Sequence, residues 1–371
     1  MRIVIDCFKL VKGTGKSIGI YNVALNLVKG LVNEKHKKNN WKVNKCELIV
    51  LGNALNKEDF KINGIRFVEI TNYNPLNKMH CIIWELYSVT KICKYLDADR
   101  VVFPRGYCAL FHPIEDIILI HDLIPFYYNQ NFPGFFNKLE NAYIMKRLKM
   151  SARSCKKIIT ISDASKQDIL DYCDVSEEKI TVIYNACSEI NYSGIEEKCD
   201  RPYISAITSE LPHKNAKGII ESYKMYCEIS SNPLDLVIIG IKDVSSYYMP
   251  QEINNRITCY KFIKEDRELH KIIANSKLFL FLSLTEGFGL PPIEAMQLNV
   301  PVVCSNTSSL PEVTGSAAVL VNPYDYMEVA RALDRLAVDE ERRKHFIKLG
   351  QENYKRFDKE IIMKQYWKAI L

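Results

Sequence analysis

The sequence predicts an α/β protein with two parallel-sheet domains in tandem, on three observations. The chain has 371 residues, more than one ordinary hydrophobic core serves. Short apolar runs alternate with stretches of helical period along the whole length. That alternation breaks once, over residues 184–202, and then starts again.

The first series has apolar runs at 3–8, 48–51, 66–70, 100–103, 117–120, 158–161 and 180–183. Continuous runs rich in β-branched residues fit strands buried on both faces. Between the first two runs, Ile20, Val23, Ala24, Leu27, Val28 and Leu31 recur at helical spacing. Strand–helix alternation of this kind means a parallel sheet. Residues 185–194 and the charged stretch after them read as a linker. The second series has runs at 203–207, 234–239, 256–262, 278–282, 300–304 and 317–321. The last stretch, 358–371, is helical with Ile361, Ile362, Tyr366 and Ile370 on one side. The expected domains are 1–188 and 200–355. Two parallel sheets in tandem are expected to put a cleft between their strand C-terminal ends, where such folds bind ligands.

Composition narrows the function classes. Apolar residues make up 47% and charged residues 25%, an ordinary globular balance. A net charge of +6 suits an anionic ligand or membrane surface and does not call for nucleic acid. The 12 cysteines include no C-x-x-C, so a zinc ribbon or redox pair is not expected. Cys7, Cys108 and Cys304 lie in apolar runs and read as small core residues in a reducing compartment. The N-terminus opens directly on a strand-like run, without the pattern of a signal peptide. No window approaches about 20 uninterrupted apolar residues. The expectation is a cytoplasmic protein, with a peripheral contact to the inner face of the plasma membrane as an option.

The stretch 279–312 carries the chemistry: FLFLSLTEGFGLPPIEAMQLNVPVVCSNTSSLPE. A buried strand is expected to end at Leu284, followed by a tight Glu286-Gly287-Phe288-Gly289 turn. Leu290, Pro291 and Pro292 then open a helix, where proline is tolerated because the first amides lack helical partners. The glycines let backbone approach a ligand closely, and a helix N-terminus favours phosphate. Glu286 and Glu294 flank the turn, and carboxylates suit hydroxyl-rich ligands. Two glutamates at this spacing without such flanks would read as solvated surface charges.

E-G-F-G-L-P-P-I-E-A-M followed by a strand and S-S-L-P-E resembles the E-x7-E signature of family-4 glycosyltransferases. Four further blocks agree: Ile120-His-Asp-Leu-Ile-Pro125, Ile159-Thr-Ile-Ser162, Lys179-Ile-Thr-Val-Ile-Tyr-Asn185 and Pro212-His-Lys-Asn215. The resemblance implies the GT-B fold, two Rossmann-like domains with the final helix, 358–371, returning to the first. It implies a retaining, metal-independent hexosyl transfer from a nucleotide sugar. The nucleotide sugar is substrate, and no cofactor or metal is expected.

The resemblance also implies residue roles. Lys214 would bind the donor diphosphate as a compact cation. The family carries arginine before that lysine, and this chain has His213. Ser209 is a further phosphate candidate. Glu286 would approach the donor sugar's hydroxyls, with the amides of Gly287, Phe288 and Gly289 beside it, and Glu294 would hold the ribose. Ser308, Ser309 and Leu310 follow the next strand and could offer backbone to phosphate or sugar, or form an ordinary loop. In the first domain His121 would face the donor sugar as a hydrogen-bond donor or through its carbonyl, with Asp122 orienting it. The loop with Gly15, Lys16 and Gly19 would cover the diphosphate and receive the acceptor.

Two motifs point elsewhere. Gly15-Lys16-Ser17 suggests a phosphate loop of an ATPase, but that motif needs glycine where Leu10 stands. Asp97-Ala-Asp99 resembles the D-x-D of metal-dependent transferases, but it precedes the strand at 100–103 and belongs at the far end of the sheet. The expected partners are a nucleotide-sugar donor, with GDP-mannose leading, and a glycan or polyprenyl-linked acceptor. Rhamnose, glucose, galactose and N-acetylhexosamine donors stay open. The basic stretch 145–157 fits an anionic membrane or, equally, a solvated helix face. Composition rich in Lys, Asn, Ile and Tyr suggests an AT-rich bacterium and surface-polysaccharide assembly. A non-catalytic nucleotide-sugar-binding protein is the alternative.

Overall fold

The computed structural model describes residues 1–13, 18–37, 43, 45–110, 114–190 and 201–371. The chain divides into two compact units, Met1–Ala186 with Lys359–Leu371, and Cys187–Asp358.

The first unit has a seven-stranded sheet: β1 (Arg2–Asp6), β2 (Glu47–Gly52), β3 (Arg66–Glu69), β4 (Arg100–Phe103), β5 (Glu115–Ile120), β6 (Lys157–Thr160) and β7 (Ile180–Val182). The strands lie in the order β3-β2-β1-β4-β5-β6-β7 and every pair is parallel. Strand periodicity sorts β1 onto two cores. Ile3 and Ile5 enter one, with Leu27, Val28 and Leu31 of the helix Ile18–His36. Val4 enters the other, with Trp84 and Val89. Both faces are covered, which is why these runs carry no polar alternation.

The second unit has six strands: β8 (Tyr203–Ile207), β9 (Asp235–Ile239), β10 (Ile257–Tyr260), β11 (Leu278–Phe281), β12 (Val302–Ser305) and β13 (Ala318–Val321). Their order is β10-β9-β8-β11-β12-β13, again all parallel. Leu278, Leu280 and Leu282 face one core, while Phe279 and Phe281 stack on the other side.

The helix Lys359–Ile370 belongs to the first unit, as the sequence led us to expect. It buries Ile362, Met363, Tyr366, Trp367 and Ile370 against the helix Ile18–His36. Gly30 admits it, since a Cβ there would collide with the Met363 thioether. Trp367 Nε1 donates to the Leu31 carbonyl at 3.1 Å. Its C-terminal carbonyls are capped by cations: Arg100 donates to Ile370, and Lys157 to Ala369 at 2.6 Å.

Asp97 and Asp99 lie before β4 and at the strand-start edge. Asp99 accepts the Arg2 amide at 2.6 Å, and Asp97 pairs with the Arg2 guanidinium at 3.0 Å. The eleven described cysteines are all free thiols.

Candidate active site

In the second unit the site is built where β8 and β11 lie side by side. Pro212–Lys214 forms one 3-10 turn after β8. Asn215 follows in a left-handed conformation (φ 55°) and caps the helix Ala216–Ile229, accepting the Gly218 amide at 3.0 Å. Its side-chain amide donates to the Leu282 carbonyl at 3.0 Å, and the Leu284 N–H donates to the His213 carbonyl at 2.7 Å. β11 therefore ends at Phe281, not at Leu284. Past Phe281 the backbone bonds to this turn instead of continuing the ladder.

These bonds bring Lys214 to Glu286, 72 residues on, with Nζ donating to Oε1 at 2.6 Å. The pair is partly solvated, with side-chain exposures of 27% for Lys214 and 11% for Glu286. The ammonium also lies 5.8 Å from the Phe281 ring centre. His213 is buried, and desolvation, helped by the Lys214 cation, pushes its imidazole down to about 4 against the pull of Glu286. It is neutral at pH 7 and cannot replace the charge of an arginine. Ser209 sits just past β8, its hydroxyl accepting the Leu211 amide at 3.3 Å.

The turn 286–289 is held from the next loop. Ser309 is fully buried and its Oγ lies 3.0 Å from the Glu286 carbonyl and 2.7 Å from that of Phe288, so one proton serves both. Ser308 accepts the Glu286 amide at 3.2 Å and donates to its carbonyl at 2.8 Å. Gly289 has φ 104° and precedes the helix Leu290–Gln297. A Cβ there would stand 2.6 Å from Leu310 Cδ2, so conformation and space both require glycine. Pro291 and Pro292 carry no N–H, which narrows the amides this helix end can aim at a ligand to those before them. Glu294 lies one turn in. Burial, with the like charge of Asp266, pushes its carboxyl up to about 7. Its carboxylate has no hydrogen-bond partner among the described residues.

The serine hydroxyls and the Asn215 bridge were not anticipated in these roles. Asn before a helix is a readable cap, but nothing in the sequence says which carbonyl a serine reaches.

In the first unit His121 stands at the end of β5. Its Nε2 donates to the Pro104 carbonyl at 2.7 Å and its own carbonyl accepts Ser165 Oγ at 3.2 Å. Burial holds the ring's pKa below its ordinary value, so the neutral ring presents Nδ1 as an acceptor. Asp122 accepts the Ile124 amide at 3.1 Å, just ahead of the helix Ile124–Asn131, whose N-cap is Leu123. Gly19 is exposed at the start of the helix Ile18–His36, with open space where a Cβ would project. Gly15 and Lys16 lie outside the described residues. In the basic stretch 145–157, Arg147 donates to the Cys108 carbonyl, Arg153 to Cys173 and Lys157 to Ala369. Leu148 faces the core, with Met145 packed beside it. No helix among the described residues is long and apolar enough to cross a membrane.

Residues 19–188 match the family described as Glycosyltransferase Family 4, and residues 192–353 match Glycosyl transferases group 1. The O-antigen chain mannosyltransferase RfbU of Salmonella typhimurium is 30% identical over 269 residues, covering 69% of this chain and 71% of that protein. The serotype-specific mannosyltransferase WbdA of Escherichia coli is 28% identical over 250 residues, 62% of this chain and only 30% of that longer protein. In fold, the chain superposes on Alr3699/HepE of Anabaena, solved in complex with UDP and glucose, with TM-score 0.67, 16% identity and coverage of 100% and 99% of the two chains. With both halves matched and a 30% identical relative covered over 71% of its length, the chain belongs to the family-4, group 1 glycosyltransferases.

Proposed function

We propose that this glycosyltransferase moves a hexose, mannose first among the options, from a nucleotide diphosphate sugar to a growing surface glycan carried on a polyprenyl lipid. The observation that carries the reading is the Lys214–Glu286 pair, a cation and a carboxylate 2.6 Å apart beside the Gly-Phe-Gly turn. The cation suits a diphosphate and the carboxylate suits sugar hydroxyls. The names of RfbU and WbdA support mannose and an O-antigen-type acceptor. HepE bound to UDP and glucose supports a nucleotide-sugar donor.

In this reading Lys214 moves from Glu286 to the diphosphate when the donor binds, releasing Glu286 to the sugar. Glu294 accepts from the ribose hydroxyls, and the amides of Gly287, Phe288, Gly289 and Leu290 lie along the sugar and phosphates. His213, neutral, contributes a hydrogen bond and no charge, so Lys214 carries the charge work alone on this turn. Ser209 is assigned to the phosphate, and Gly15, Lys16 and Gly19 to the acceptor side. His121 meets the sugar as an acceptor through Nδ1, with Asp122 setting the backbone after it. The anomeric configuration is retained, the leaving phosphate oxygen taking the acceptor's proton. Lys214 and backbone amides offset the leaving charge without a metal.

Thermal shift with GDP-, UDP- and dTDP-sugars identifies the donor, because a bound ligand stabilises the folded state. GDP-mannose is expected to give the largest shift, and transfer is expected to survive EDTA. Proton NMR of the product then reads the anomer. An inverted product removes the retaining mechanism, and the absence of a shift with every nucleotide sugar removes the donor reading.

Membrane contact is proposed for the outward face of the helix Lys138–Ser154, which includes Lys146 and Met150 of the stretch 145–157. Leu139, 83% exposed, and Tyr143 continue that face. Lys78 pairs with Glu140 at 3.5 Å, which brings Met79 and Ile83 alongside, both exposed.

A further inference from the structure

The chain enters the second unit at Cys187 and leaves it at Asp358. Segment 187–190 forms no strand or helix there, and Gln297 fastens it. Gln297 ends the helix Leu290–Gln297 and is 5% exposed. Its Oε1 accepts the Ile190 amide at 2.6 Å. Its Nε2 donates to the Ser188 carbonyl at 3.2 Å and reaches Cys187 Sγ at 3.8 Å. The side-chain amide thus spends both acceptor and donor on an N–H and a C=O two residues apart, as a neighbouring strand would. The Cys187 N–H donates to the Phe357 carbonyl at 2.9 Å. The Phe357 ring stands edge-on to Phe288 of the glycine turn, with centres 5.3 Å apart.

The segment lies beside Glu294. That residue stands one turn before Gln297, and residues three apart share a helix face. The Glu294 charge acts on the Cys187 thiol, which puts the carboxyl next to the segment. The helix itself is locked from the helix Glu340–Asn353. Gln351 donates to the Met296 carbonyl at 3.2 Å, and a Cβ on Gly350 would stand 3.1 Å from the Met296 side chain. The helices Asp266–Ala274 and Leu310–Thr314, the turn Tyr354–Phe357 and strands β11 and β12 pack on the same helix. Of the charged groups on all these elements, Asp266 acts on Glu294, and none among the described residues brings it a cation. Glu189, on the segment, is exposed.

We propose that Gln297 is a positioning residue for nucleotide binding: it clasps segment 187–190 over Glu294 and keeps water from the carboxyl that meets the ribose. The inference rests on the ribose reading of Glu294 and deepens it. A covered carboxyl holds its proton to higher pH than a hydrated one. The clasp therefore makes nucleotide binding weaken as pH falls below 7, where an uncovered glutamate stays ionised.

Gln297→Met keeps the side-chain volume and removes both bonds. Carbon NMR of the glutamate carboxyls in the full chain reads the titration directly, with the Glu294 signal identified by its loss in Glu294→Gln. Its midpoint is expected to fall from about 7 to about 5–6 in Gln297→Met. GDP and UDP serve as separate nucleotide probes. The variant should bind the nucleotide about five- to tenfold tighter than wild type at pH 6 and equally at pH 8. A merely structural loss would weaken binding at both. Ile190→Pro deletes the same bond from the segment side and serves if Gln297→Met fails to fold. An unmoved Glu294 midpoint in a folded variant overturns the proposal, and so does weaker binding at both pH values. Failure of the ribose reading shows differently, as a midpoint that falls with no change in affinity for either nucleotide, which upholds the cover and removes the ribose.

Discussion

Each unit carries a lysine–glutamate pair at the switch point of its sheet, and the two pairs are built differently. In the second unit, Lys214 follows β8 and Glu286 follows β11, adjacent strands. In the first, Lys9 follows β1, but Glu85 comes from a π-helical turn between β3 and β4. One pair is more open on its lysine side and lies beside a glycine turn. The other is more enclosed and ringed by further charges. The difference lies in solvent access: the Lys214 and Glu286 side chains are 27% and 11% exposed, those of Lys9 and Glu85 19% and 8%.

The largest test breaks the second pair. Lys214→Ala and Glu286→Ala are each expected to lower kcat/KM by about 100- to 1000-fold, the usual loss for a group that stabilises transition-state charge. Circular dichroism should show both variants folded, because the pair is partly exposed and adds little to stability. Lys214→Ala should also weaken nucleotide-sugar binding, and Lys9→Ala should not. Equal loss of nucleotide affinity in both lysine variants would erase the contrast between the units.

The clamp on the turn comes next. Ser309→Ala removes the hydroxyl lying against the Glu286 and Phe288 carbonyls in a fully buried position. The expected cost is about 1–3 kcal/mol in unfolding free energy, read by urea melts. Transfer should fall with it, because Glu286 is aimed by that turn. Unchanged stability would mean that Ser308 alone holds the loop.

Glu294 sharpens the comparison through pH. Its folded pKa is raised to about 7, so the folded state holds a proton that the unfolded state has released. Its contribution to stability is therefore full below about 4.5 and is lost as pH rises toward 7. Asp266 adds to the rise, and burial, with the Glu294 charge as a lesser cause, pushes the Cys187 thiol up. Ribose hydroxyls donate best to the ionised carboxylate. Nucleotide affinity should thus increase about tenfold from pH 6 to pH 8, and Glu294→Gln should flatten that slope. A wild-type affinity independent of pH would take Glu294 off the ribose.

The strands and the turn were legible because they depend on local pattern. Buried parallel strands write themselves as apolar runs, and Gly289 with its two prolines marks a left-handed residue and a helix start. The returning helix at 359–370 was legible only through resemblance. Its capping by Arg100 and Lys157 joins residues far apart in sequence. The Lys9–Glu85–Arg105 cluster was not legible at all. Its members come from a strand end, a distorted helix and a second strand end, and each alone reads as a surface charge. In the basic stretch 145–157, which reads equally as a membrane-facing or a solvated helix face, three of the cations donate to backbone carbonyls inside the unit.

The smallest expected effect concerns that same helix. Its inward side is Asn141, Arg147, Leu148, Ser151 and Ala152. The outward side is therefore Leu139, Tyr143, Lys146 and Met150, at spacings of four, three and four. Leu139 is 83% exposed and Met79, on the neighbouring segment, 62%. Exposed apolar side chains gathered on adjoining helices mark an interaction surface, and Lys138 and Lys146 favour an anionic one. Fully burying a leucine is worth about 2 kcal/mol, and shallow insertion at a headgroup region less. Leu139→Asp should therefore reduce flotation with vesicles of phosphatidylglycerol and phosphatidylcholine by about threefold to tenfold. High salt should reduce it further by screening the lysines. Transfer to a water-soluble hexoside should be unaffected, because Leu139 touches neither lysine–glutamate pair. If Leu139→Asp floats like wild type while Lys146→Glu does not, the contact is electrostatic alone and this apolar face does not insert.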